Sequence, residues 1–123
     1  MDINYIFLNQ ETVLKIEPHD PNDVMWELIQ QNGTLYENEL LTYMGLCLRG
    51  LEKKTDIIDV GANIGNHSIF LGKFLARELI SVEANPDVIP TLKSNLAKNI
   101  DNYTLHECAA GSSTGFCLSL IHI

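Results

Sequence analysis

The stretch on which the fold turns is Asp56–Ala76, DIIDVGANIGNHSIFLGKFLA. A short β-branched run, Asp56–Val60, hands over through two glycines and an asparagine to an apolar-periodic run, Ile64–Ala76. The first run suits a strand buried on both faces. The second predicts a helix with Ile64, Ile69, Leu71, Phe74 and Leu75 on its apolar side. A loop that only turned could use many residues; this one is shaped for close approach to the backbone. Gly61 reaches backbone angles closed to other residues and leaves space above itself. Gly65 lets the helix pack close to the strand, and the helix start offers N–H groups to a carboxylate or phosphate.

Downstream, Leu79–Val82 predicts a second strand ending in Glu83. Asn85 fits an N-cap and Pro86 the first position of a helix running to about Asn99. Pro90, early in that helix, either kinks its first turn or moves its start later. Tyr103–Cys108 predicts a third strand, GSSTG a turn, and Phe116–Ile121 a fourth strand at an edge. Strand, helix, strand, helix, strand is a doubly wound α/β pattern, with parallel neighbours and right-handed crossovers. Upstream, residues 3–16 read as a hairpin around Asn9-Gln10-Glu11. Asp20 as N-cap, Pro21 as first position and Gly33 as stop predict a short helix, and a second covers about Tyr36 to Arg49 with Gly50 as its stop. The expected organisation is an N-terminal cap of hairpin and two helices over residues 1–50, and a partial Rossmann-like domain over residues 51–123.

The 123 residues suffice for one core. The apolar share of 46% and charged share of 20% are a globular balance. No apolar run reaches the roughly 18 residues of a membrane span. The start lacks a basic region and a cleavage site, so the expectation is a cytoplasmic protein away from membranes. The formal charge of −8, from 16 acids and 8 scattered bases, disfavours nucleic acid as a partner. Cys47, Cys108 and Cys117 form no CxxC pair, and His19, His106 and His122 share no metal-ligand spacing, so neither a disulfide framework nor a metal site is expected.

Open α/β sheets bind ligands beyond the carboxyl ends of their strands. Three such ends are visible. The first is DVGANIGN, Asp59 to Asn66. The second is SVEANP, where Glu83 can accept hydrogen bonds from both hydroxyls of a ribose. The third is LHECAAG, where Glu107 and Cys108 stand where a side chain reaches an adenine amino group. Together they describe a pocket for an adenosine-bearing ligand. Asn63 occupies the middle position that a dinucleotide fingerprint gives to glycine beside the pyrophosphate. That leans toward S-adenosylmethionine and away from an NAD(P)-dependent oxidoreductase, without closing the choice. A non-catalytic nucleoside-binding module or remnant is a further alternative.

DVGANIGNHSIFLGKFLA, SVEANPDVIPTLKSNLAKN and HECAAGSSTG, preceded by LYENELLTYMGLCL, closely resemble the FkbM-type family of S-adenosylmethionine-dependent methyltransferases. The resemblance covers about Leu35 to Leu120. It implies a Rossmann-like methyltransferase fold and methyl transfer from S-adenosylmethionine, often to a hydroxyl oxygen of a sugar or another small-molecule acceptor. By carry-over, Asp59, Gly61, Ala62, Asn63, Gly65 and Asn66 line the methionine side of the cofactor. Glu83 holds the ribose, and Ala84, Asn85, Glu107 and Cys108 border the adenine. The family commonly has a small polar residue where Glu107 stands. Methyltransferases of this fold usually carry about seven strands and twice this length, so the fold expected here is a truncated one, the cofactor-binding half. The half that would supply a catalytic base is not expected within this stretch, and no base is named. An exposed edge at the first parallel strand invites a homodimer.

Glu37, Glu39 and His67 flank the glycine loop, but as helix-start and helix-surface residues they fit structural roles better. Trp26 and Tyr36 fit packing of the cap, with a substrate-facing role open.

Overall fold

A computed structural model describes residues 1–51 and 53–116. Asp2–Phe7 (β1) and Gln10–Lys15 (β2) form an antiparallel hairpin. Its turn is Leu8-Asn9, two residues long, so Gln10 and Glu11 belong to the strand and not to the turn. Alternation along β1 buries Ile3, Tyr5 and Phe7 on one face. Two helices follow, Val24–Asn32 (α1) and Asn38–Leu48 (α2).

The central stretch follows the predicted order of strands and helices. Ile57–Val60 (β3), Leu79–Val82 (β4) and Tyr103–His106 (β5) form a parallel sheet in the order β3-β4-β5. Asn66–Phe70 (α3), continued by a π-helical turn over Leu71–Leu75, and Ile89–Asn99 (α4) are the crossovers. The strand expected at Phe116–Ile121 lies, apart from Phe116, outside the described residues.

One expectation is corrected by the sheet. β3 is not buried on both faces: Ile58 and Val60 are 61% and 60% exposed. Right-handed crossovers that step in one direction along a sheet place their helices on the same face. Both α3 and α4 therefore cover the side of Leu79 and Ser81, which are buried. Among the described residues no helix covers the side of Ile58 and Val60.

The core is continuous from hairpin to sheet. Tyr5 and Phe7 of β1 meet Phe70 and Phe74, with ring centroids 5.1–6.0 Å apart in edge, tilted and stacked pairs. The π-helical turn ends through the Ala76 N–H donating to the Leu71 carbonyl at 2.8 Å, and Ala76 is extended. Gly45 of α2 makes room for this cluster, because a β-carbon there would lie 2.4 Å from the Phe7 ring.

Candidate functional site

Three strand tips converge, as main-chain hydrogen bonds show. The N–H groups of Gly61 and Ala62 donate to the Val82 carbonyl at 2.8 and 3.0 Å, and the Glu83 N–H donates to the His106 carbonyl at 3.1 Å. The glycine loop thus lies directly over the tip of β4, and β4 is tied to β5.

Within the loop, Gly61, Asn63 and Gly65 all have positive φ, at 81°, 53° and 96°. Asparagine is the non-glycine residue that best tolerates this region. The two glycines do different work. A β-carbon on Gly61 would meet nothing within 4 Å, so the space above it is open. One on Gly65 would lie 3.1 Å from Leu92 Cδ1, so Gly65 lets α3 approach α4 and not the strand.

Glu83 is the hub. Its Oε1 accepts from the Asn63 N–H and its Oε2 from the Asn85 N–H, both at 2.8 Å. No ion pair involves it among the described residues. A carboxylate has about four lone-pair sites, so each oxygen keeps one for a ligand donor. The two main-chain bonds fix the carboxylate while leaving that capacity open.

The other residues singled out by sequence divide. Asp59, half-buried, accepts from Ser68 Oγ at 2.6 Å, and Ser68 Oγ lies 2.8 Å from Ser81 Oγ, with both serines fully buried. Asp59 is thereby anchored to α3 beneath the loop. Ala62 is buried under the loop. Asn66 is only 4% exposed, and its amide is engaged with the Tyr36 main chain, donating to the carbonyl and accepting from the N–H at 2.8 Å. Ala84 is exposed and Asn85 half-buried beside Glu83, and Glu107 and Cys108 are exposed at the tip after β5. The Glu107 carboxylate lies 3.3 Å from Lys93 Nζ in a solvent-exposed pair, which holds it only weakly. Glu37 Oε1 lies 3.4 Å from His67 Nε2, joining α2 to α3.

Two clefts meet at Glu83 and Asn85. One, of about 420 Å³, runs between the glycine loop and the cap and is lined by Gly61, Asn63, Glu83, Asp20, Asp23 and Trp26, among others. The other, of about 1050 Å³, runs from Glu83 and Asn85 to the loop from Glu107 to Phe116. Among the described residues, no lysine or arginine lines either. Sequence reasoning left a ligand-facing role open for Trp26 but did not single out Pro18–Asp23, because nothing in that segment signals a ligand and its placement depends on tertiary contacts. A third cavity, about 410 Å³ and bounded by Phe7, Leu48, Leu51 and Phe74, includes none of the three tips.

No protein-family model and no curated protein matches the chain. Solved structures do. A protein from Pyrococcus horikoshii described as an RNA methyltransferase superposes with a TM-score of 0.54 at 22% identity, covering 77% of this chain and 46% of its own. The YcgJ protein of Bacillus subtilis superposes with a TM-score of 0.51 at 18% identity, covering 59% of this chain and 31% of its own. The chain therefore spans less than half the length of these neighbours. At these identities the likeness concerns the fold, and the fold is a Rossmann-like methyltransferase fold, present in part.

Proposed function

We propose that the chain binds S-adenosylmethionine and belongs to a methyltransferase of the FkbM type. The observation that supports this best is the pair of clefts joined at the Glu83 carboxylate. A nucleoside with a substituent on its ribose needs a hydroxyl acceptor in the middle, an opening for the base on one side and an opening for the substituent on the other. Glu83 supplies the first, the cleft toward Cys108 the second, and the cleft under the cap the third. The residues present fit the cofactor: open space above Gly61 and spare lone pairs on Glu83 stand where a tail and a ribose belong.

The absence of lysine and arginine from both cleft linings argues against a pyrophosphate, whose two charges would go unneutralised. A sulfonium suits an acidic lining. The bound cofactor supplies an electrophilic methyl group for in-line displacement. The chain's part is to fix ribose and tail, and so the line of attack, and to exclude water. Resemblance in DVGANIG and in E-x-N-P supports a hydroxyl oxygen of a sugar or small metabolite as acceptor.

Calorimetry tests the reading. S-adenosylmethionine is expected to bind and NADH is not. Glu83→Gln removes one acceptor oxygen and is expected to weaken S-adenosylmethionine by about 1–2 kcal/mol, roughly five- to thirtyfold in Kd. Unchanged affinity in the folded variant removes Glu83 from the site, and binding of NADH alone replaces the reading with a dinucleotide one.

A further inference from the structure

The wall facing the glycine loop comes from the cap, where Pro18, His19, Asp20, Asp23, Met25 and Trp26 line the smaller cleft. Trp26 stands out among them. It is only 5% exposed, yet its indole N–H has no hydrogen-bond partner among the described residues. Among the described residues, the one side-chain polar atom sealed from water without a hydrogen bond is His67 Nε2, which faces the Glu37 carboxylate. The Trp26 N–H is therefore not sealed from water, and the residue that carries it lines the cleft. A nearly buried indole normally finds an acceptor for its donor. Here the acceptor has to come from the cleft's occupant.

The chemistry of that occupant's tail supplies one. With no lysine or arginine in the lining, a carboxylate entering this cleft can be held only by neutral or histidine donors. A free amino-acid tail also carries an ammonium. Asp20 and Asp23 each spend one carboxylate oxygen on a local turn, accepting from the N–H groups of Asn22 and Met25 at 2.9 and 2.8 Å, and each keeps its second oxygen for that group.

Resting on the reading above, we propose that the Pro18–Trp26 segment is the second wall of the ligand site, and that the Trp26 N–H recognises the carboxylate of the ligand's amino-acid tail. This makes the cap a determinant of which adenosine ligand binds, selecting a complete zwitterionic tail over ligands that lack it. It also extends the site upstream of the segment whose motifs carry the resemblance.

Trp26 is the sole tryptophan, so its fluorescence reports directly on this wall. S-adenosylmethionine is expected to change that emission saturably, and 5′-methylthioadenosine, which lacks the tail, to bind without the change. Decarboxylated S-adenosylmethionine is expected to bind the wild type about tenfold more weakly than S-adenosylmethionine. Calorimetry on Trp26→Phe, which keeps an apolar ring and removes the donor, is expected to show a tenfold loss for S-adenosylmethionine and none for the decarboxylated form. Equal losses for both ligands, or no loss for either, overturn the role of Trp26 while leaving the cofactor reading intact. No binding of S-adenosylmethionine to the wild type ends both. Should Trp26→Phe not fold, the wild-type comparison decides: equal affinity for the two ligands overturns the proposal.

Discussion

Gly61 and Gly65 have φ of 81° and 96°, but their surroundings impose different penalties on a side chain. At Gly61 a β-carbon enters open space, so Gly61→Ala costs only the left-handed backbone, about 1–2 kcal/mol. At Gly65 the same strain is joined by overpacking against Leu92, whose side chain is fully buried and 3.1 Å away. Gly65→Ala should therefore cost about 2–4 kcal/mol. Urea unfolding of both variants checks the order; equal losses would mean that Leu92 swings aside freely. Sequence alone made both positions legible as glycine-requiring, because spacing after a strand carries that signal. It assigned Gly65 the wrong neighbour, because the helix it touches is about thirty residues away in the chain. Glu83 was legible as a strand-end carboxylate. Its bonds to the N–H groups of Asn63 and Asn85 were not, since a main-chain donor leaves no mark in the sequence.

At the level of elements, β3 and β4 fall within one residue of their expected bounds, while two helix starts moved for a shared reason. Asp20-Pro21 and Asn85-Pro86 both read as N-cap followed by first helical position. In both places the chain makes a turn instead. The Asp23 N–H donates to the Asp20 carbonyl at 3.1 Å, and the Val88 N–H to the Asn85 carbonyl at 3.2 Å, with proline second in each turn. Proline's fixed φ suits a turn's second position as well as a helix's first, so the dipeptide alone does not choose. Helix α1 then begins from an Asp23 cap, and α4 takes Pro90 within its first turn, where no N–H is missed. Equally silent in the sequence are the asparagines that fasten the hairpin's end to α4. The fully buried Asn95 accepts from the Glu17 N–H at 3.0 Å and donates to the carbonyls of Glu17 and Ile64 at 2.9 and 2.8 Å. Asn99 pairs likewise with Lys15. Asn95→Ala strands these main-chain groups and should cost about 2–3 kcal/mol. Hydrogen exchange should show the Glu17 amide losing protection first; a stability loss with that amide still protected would place the fastening elsewhere.

Taken whole, the molecule has one closely built side and one open one. The hairpin, α3 with its π-helical turn, and α4 share a core on the closed side, while Ile58 and Val60 face outward. The hydrophobic pattern of β3 reads as two-sided because its residues are apolar on both faces, whatever covers them. Tyr5 couples the hairpin to the closed side. Its ring packs on Phe70 and Phe74, and its hydroxyl donates to Asn38 Oδ1 of α2. Burial pushes the Tyr5 phenol up to about 12, against a smaller opposing effect of a Thr42 hydrogen bond. The folded state therefore favours the neutral phenol. The stability linked to Tyr5 is fully present below pH 10, its unfolded value, and is lost as pH rises from 10 toward 12. Other lysines and tyrosines titrate in the same window, so the test is a difference. Urea midpoints of wild type and Tyr5→Phe, compared at pH 9 and pH 11.5, should converge at the higher pH, because the variant lacks the group whose ionisation opposes folding. A constant gap between them would show that the Tyr5 phenol does not ionise against the fold, and that the hairpin is held by its aromatic rings alone.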